Sequence, residues 1–202
     1  MITINNIDIQ VSAVCFDFDG TLTQPGLIDF YTIKNKIDCP INDSILDFIK
    51  NQSSDSKKMS LKKRLDQWEY DASKMAKPNI GAESLVRTLH KSNIKQCIIT
   101  NNSLRSIQRA FENFKHIQMI DFDFIITRDD PCQPKPSSDP ILLLSKRLNI
   151  SPESLLMIGD YKYDMESGQS AGAITVFLDN ADRWNKLCPS HDYRISSLLI
   201  FR

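Results

Sequence analysis

The chain has 202 residues, 41% of them hydrophobic and 25% charged, which suits one folded domain with an appendage and excludes a disordered chain. Its 25 basic and 25 acidic side chains cancel, so the molecule as a whole lacks the electrostatic footprint of a nucleic-acid or membrane-surface binder. No apolar run approaches a bilayer span and the first residues do not read as a signal peptide, so we expect a cytoplasmic protein.

In chain order, Val11–Phe16 is a short apolar run rich in β-branched residues, broken off by acidic residues and Gly20. This pattern predicts a buried strand leading into a loop, and the strand reads as the central one. From Gly26 to Pro78 there are two helical patterns, Asn42–Lys50 and Ser60–Met75, joined by a polar tract over 51–56, and no strand pattern. That stretch reads as a helical insertion. Beyond it, strand runs at Ile94–Thr100, Asp123–Thr127, Leu155–Ile158 and Ile174–Leu178 alternate with helical spacing at Ala82–Lys91, Leu104–Phe114, Pro140–Leu148 and Asp164–Ala171.

Five buried strands alternating with helices predict an α/β protein, a parallel sheet covered on both faces. The expected domains are a catalytic core over 1–25 and 79–202 and a helical cap over 26–78. In such a sheet, ligands bind at the carboxyl ends of the strands. Asp17 with Asp19, Thr100 with Asn101, and Gly159 with Asp160 each directly follow a predicted strand, so they should converge on one edge.

Two carboxylates one residue apart, with Gly20 to free the backbone, invite a division of labour. One can attack phosphorus while the other protonates the leaving alcohol and later deprotonates water. A carboxylate attacking a phosphate dianion needs a cation, and Asp160 and Asp164 supply oxygen ligands suited to Mg2+. Lys135, in the proline-flanked run Gln133-Pro134-Lys135-Pro136, is the candidate for the remaining positive charge, with Lys162 its competitor. Thr100 and Asn101 can offer a hydroxyl and N–H groups to phosphate oxygens.

The ordered set Asp17-Phe18-Asp19-Gly20-Thr21-Leu22, Ile99-Thr100-Asn101-Asn102, Lys135 and Gly159-Asp160-Tyr161-Lys162-Tyr163-Asp164 resembles the four motifs of the haloacid dehalogenase-like hydrolase superfamily. The region Ile158–Leu178 is similar to phosphoglycolate-phosphatase-like members. The resemblance implies a Rossmann-like core, a small helical cap, Mg2+ as cofactor and phosphoryl transfer through an aspartyl-phosphate. By position, Asp17 would be the nucleophile and a metal ligand, and Asp19 the acid/base with its backbone carbonyl on the metal. Thr100, Asn101 and Lys135 would bind the substrate phosphate. Asp160 would ligate the metal directly, while Asp164 would do so through water or orient Lys135. Tyr161 departs from the Ser or Thr that many relatives carry there, and the cap is short.

These readings point to a phosphatase acting on a small phosphorylated metabolite. A phosphomutase and a non-catalytic phosphate-ligand-binding protein remain as alternatives, and oligomeric state is left open. Cys15, Cys39, Cys97, Cys132 and Cys188 are scattered and read as reduced thiols. Trp68 and Tyr70 read as packing residues, the basic cluster from Lys57 to Arg64 as a solvated helix face, and His90, His116 and His191 as surface residues.

Overall fold

The computed structural model describes residues 2–4, 7–180 and 189–201. A two-stranded antiparallel hairpin, β1 (Ile2–Ile4) and β2 (Ile7–Ile9), precedes β3 (Ala13–Phe16). Three helices follow, α1 (Phe30–Lys36), α2 (Ile45–Lys50) and α3 (Asp55–Ser73). The remainder alternates: α4 (Ala82–Lys91), β4 (Lys95–Ile99), α5 (Leu104–Phe111), β5 (Phe124–Ile126), α6 (Asp139–Leu148), β6 (Leu155–Gly159), α7 (Lys162–Ala171), β7 (Ile174–Leu178) and β8 (Tyr193–Ile195).

Six parallel strands form one sheet in the order β5-β4-β3-β6-β7-β8, with β3 inside it as expected. All four residues of β3 are buried, the condition of a strand covered on both faces. Period-two alternation sorts the side chains. Val14, Phe16, Ile98, Leu156 and Ile158 face a core that contains Leu85 and Leu89 of α4 and Ile107 of α5. Ala13, Cys15, Cys97, Leu155 and Met157 face the opposite one, with Ile141 and Leu144 of α6.

The inserted helices have a small apolar core of their own, built from Ile33, Ile37, Ile45, Ile49, Leu61 and Leu65, with Trp68 packed against it. Tyr70 lies instead under the Arg105 guanidinium, 3.9 Å from ring centre. Each of the three helices begins at a side-chain cap, Asp29, Ser44 and Ser54, whose oxygens take up the N–H groups that a helix start leaves unpaired.

Several elements differ from the sequence reading. The sheet has a sixth strand, β8, whose three residues are too few to show a period. The insertion holds a third helix, α1, whose seven residues bury one apolar side chain, Ile33, too few to show a helical period. α3 starts five residues earlier than the apolar pattern, because Ser54 caps it and solvent-facing lysines fill its first turns. Cys15 and Cys39 are buried free thiols, and burial raises both pKa values, most of all at Cys15. Cys188 lies outside the described residues. Among the described residues no helix is long and apolar enough to cross a membrane.

Candidate active site

The sheet register brings the site together. Phe16 of β3 pairs with Ile98 of β4 and with Ile158 of β6, so the three strands end level with one another. Asp17, Thr100 and Asp160 leave the sheet from that shared edge. Asp17, Asp19, Thr100, Asn101, Lys135, Asp160 and Asp164 all line one cavity of about 250 Å3 roofed by residues of the insertion. His90, His116, His191 and the α3 lysines lie outside it.

Behind Phe16 the chain turns sharply through 18–22. Gly20 adopts φ +84°, a left-handed conformation, and a Cβ there would overlap the Asp160 carboxylate. A Cβ on Gly159 would likewise overlap Asp164. The two glycines therefore let the acidic residues close in on one another. The Asp17 N–H donates to the Ile158 carbonyl at 2.8 Å, which ties the first residue of the turn to β6.

Carboxylate oxygens of Asp17, Asp160 and Asp164 lie within 4.8 Å of one another. Lys135 Nζ donates to Asp17 Oδ1 at 2.6 Å, Asp164 Oδ1 at 2.5 Å and the Ile99 carbonyl at 2.8 Å. An ammonium has three donors, and here all three are engaged. Lys135 thus acts first as the charge partner of Asp17 and Asp164, and a contact with a phosphate oxygen requires it to exchange one of these bonds. Burial alone would lower its pKa, but Asp164 and Asp17 hold it above the ordinary lysine value. Two buried carboxylates still share one positive charge. Burial, followed by repulsion from Asp17, pushes the Asp164 carboxyl up to about 7.

An all-oxygen donor set with surplus negative charge fits a hard divalent cation such as Mg2+ and does not fit a thiophilic metal. Asp19 stands outside the triad. Its carboxylate accepts from Asn102 Nδ2 at 2.5 Å, and its exposed part faces the cavity. Burial, then the charge of Asp17, raises its pKa well above the carboxylate range. The Thr100 hydroxyl oxygen accepts from the Asn102 N–H at 3.1 Å, which leaves its own proton available to a ligand.

The Asn101 side chain is engaged within the protein. It clasps the Lys135 backbone, Nδ2 donating to the carbonyl at 2.8 Å and Oδ1 accepting from the N–H at 3.0 Å. What it can still offer a phosphate is its backbone. Lys162 lies over the Tyr163 ring, 5.3 Å from its centre, and does not line the cavity, whereas Lys135 does.

Sequence reasoning missed a buried link between the insertion and this loop. Arg128 donates through Nη1 to Glu69 Oε1 at 2.7 Å and to the Asn101 carbonyl at 2.9 Å, and through Nη2 to Glu69 Oε2 at 2.6 Å. Nη2 also meets Asp66. An unbroken chain of hydrogen bonds therefore runs from α3 through Arg128 and Asn101 to Lys135 and Asp17. Glu69 and Arg128 are 59 residues apart, and no local pattern pairs them. Asn102 was open to inference, because it follows Asn101 in the same strand-end loop.

The sequence profile described as haloacid dehalogenase-like hydrolase matches residues 23–178. The chain belongs to this family. A relative named an uncharacterized hydrolase, from Saccharomyces cerevisiae, is 35% identical over 173 residues, 85% of this chain and 78% of its own. A pyrophosphatase of Halalkalibacterium halodurans is 24% identical over 192 residues, covering 87% of this hydrolase and 86% of that protein. In fold, this haloacid dehalogenase-like hydrolase is similar to CbbY of Rhodobacter sphaeroides, solved in complex with phosphate. The TM-score is 0.72 at 17% identity, over 93% of this chain and 95% of that one.

Proposed function

We propose that the protein is a Mg2+-dependent phosphatase that cleaves a small phosphomonoester through an aspartyl-phosphate on Asp17. The observation that carries this reading is the convergence of Asp17, Asp19, Lys135, Asp160 and Asp164 on one cavity, with the Asp17 carboxylate aimed by Lys135 and Asp19 held apart on Asn102. Residues 26–78 serve as the cap and the remainder as the core. Asp17, Asp160 and Asp164 would hold the cation, with the Asp19 backbone carbonyl as a further ligand. When bound, Mg2+ offsets the charge of the phosphate and of the developing transition state.

The chain's own residues then divide the steps. An Asp17 oxygen forms the new bond to phosphorus as the bond to the leaving oxygen breaks. Asp19, whose burial beside Asp17 favours the protonated carboxyl, passes its proton to the leaving alkoxide. The resulting Asp19 carboxylate accepts a proton from water as water attacks the aspartyl-phosphate, which releases inorganic phosphate and restores Asp17. The Thr100 hydroxyl and the backbone at Asn101 hold the non-bridging oxygens meanwhile. We place this chemistry in the cytoplasm, consistent with free cysteines.

A panel of phosphate esters, assayed with Mg2+ for released phosphate, tests the reading with Asp17→Asn as the blank. Hydrolysis by the native protein and its loss in the variant are expected. Full activity in Asp17→Asn refutes the mechanism, and isomerised product without phosphate release identifies a phosphomutase.

A further inference from the structure

The lysines buried among the described residues are Lys34 and Lys135, and their surroundings differ sharply. Lys135 is held by two carboxylates. Lys34, on α1, is 9% exposed and lines the same cavity as Asp17, yet among the described residues no carboxylate lies within ion-pair distance of its ammonium. Its one recorded bond is donation from Nζ to the Ile41 carbonyl at 2.6 Å. Two N–H donors remain.

Leaving an ammonium buried without a counter-ion costs several kcal/mol. A lysine stem is long enough to carry its head group into water, and a lysine on a small surface helix has that route open. Here the residue is instead 9% exposed, on the wall of the cavity that Asp17 also lines. An anion drawn into the cavity beside this shielded charge gains more from it than it would in water. The other charges of the roof do not answer it. Glu69 is committed to Arg128, and Asp43 is exposed at the rim, where water screens it.

We infer that Lys34 binds a second anionic group on the leaving-group side of the substrate. The substrate class is then a phosphomonoester of a few carbons that also carries a carboxylate or a second phosphate. A cavity of about 250 Å3 has room for such a molecule. The inference rests on the phosphatase reading, because that reading places the transferred phosphoryl group at Asp17.

Three two-carbon esters test it: phosphoglycolate, ethylene glycol bisphosphate and ethylene glycol monophosphate, which end in a carboxylate, a phosphate and a hydroxyl. The native protein and Lys34→Gln are compared with Mg2+ present. Glutamine keeps an N–H donor for the Ile41 carbonyl, and a thermal melt checks that the variant is folded. A charge-assisted contact is expected to give one of the anionic esters about a tenfold or larger advantage in kcat/KM over the hydroxyl ester. In Lys34→Gln that preference falls to within about threefold of unity, mainly through KM. The winning arm tells carboxylate from phosphate. A native preference near unity, or an unchanged preference in Lys34→Gln, overturns the inference. If no ester is hydrolysed at all, the phosphatase reading fails separately. Lys34 is then decided by calorimetric binding of the same three compounds to Asp17→Asn, with and without Lys34→Gln. Binding of an anionic ester about tenfold weaker in the double variant supports the assignment, and equal affinity overturns it.

Discussion

Replacing Arg128 by methionine removes the fork that joins α3 to the Asn101 loop, and the structure sets the size of the effect. The Arg128 and Glu69 side chains are each 4% exposed, whereas Asp66 is 35% exposed. Breaking a buried pair from one side costs about 3–5 kcal/mol, because the abandoned charge stays buried. The Asp66 contribution, screened by solvent, adds under about 1 kcal/mol. For a chain of this length a loss of about 3–5 kcal/mol lowers Tm by about 6–20 °C. Burial already raises the Glu69 pKa, against the pull of Arg128, and removing the arginine raises it further. A raised carboxyl pKa costs stability only above the unfolded value, so the deficit should be small below about pH 4.3 and grow toward neutral pH. The assay is urea unfolding of the native protein, Arg128→Met, and Arg128→Met with Glu69→Leu. The double variant should recover most of the loss, since two apolar side chains leave no charge stranded. A single-variant cost under about 1 kcal/mol, or a double variant no more stable than the single, refutes the reasoning.

Asp19→Asn keeps the shape and the Asn102 neighbour but cannot exchange a proton, so kcat should fall by about 10²- to 10⁴-fold on an ester with a poor leaving group. An activated aryl phosphate, which needs less protonation, should lose less, and equal losses on both esters contradict a general-acid role. Chelation of Mg2+ should abolish turnover and lower Tm. With free metal at about 100 times its dissociation constant, the stabilisation is about 2.7 kcal/mol. Its pH dependence follows from Asp164, raised to about 7 in the metal-free fold. Below the unfolded aspartate pKa the raised value costs nothing, and stability of the metal-free protein declines as pH rises from there through about 7. The Tm gain from Mg2+ should therefore be larger at pH 8 than at pH 5, and a gain independent of pH contradicts the assignment.

The fold was legible where burial on both faces forces a continuous apolar run. Five of the six sheet strands and helices α4, α6 and α7 lie where the runs and spacing predict them. α1 and β8 escaped because each is short and keeps one polar side. The candidate site was legible for a related reason: its residues stand next to strand ends, and parallel register carries strand ends to one edge. What the sequence hid is how those residues are held. That Asn101 clasps Lys135, that Arg128 ties Glu69 to the same loop and that Lys34 is buried without a carboxylate are tertiary facts, set by loops packing across long sequence separations. The three engaged donors of Lys135 are likewise a tertiary fact: without a ligand they hold Asp17, Asp164 and the Ile99 carbonyl, and a phosphate contact must replace one of them.

The central claim is that Asp17 becomes covalently phosphorylated during turnover. Acid quenching in the first turnovers with Mg2+ and a hydrolysed ester, followed by peptide mass spectrometry, tests it directly. The account predicts one added phosphoryl group on the peptide carrying Asp17, absent in Asp17→Asn and accumulating in Asp19→Asn if its second step is the slower. A protein that turns over substrate while Asp17 stays unmodified at every quench time, or a phosphoryl group found on another residue, contradicts it.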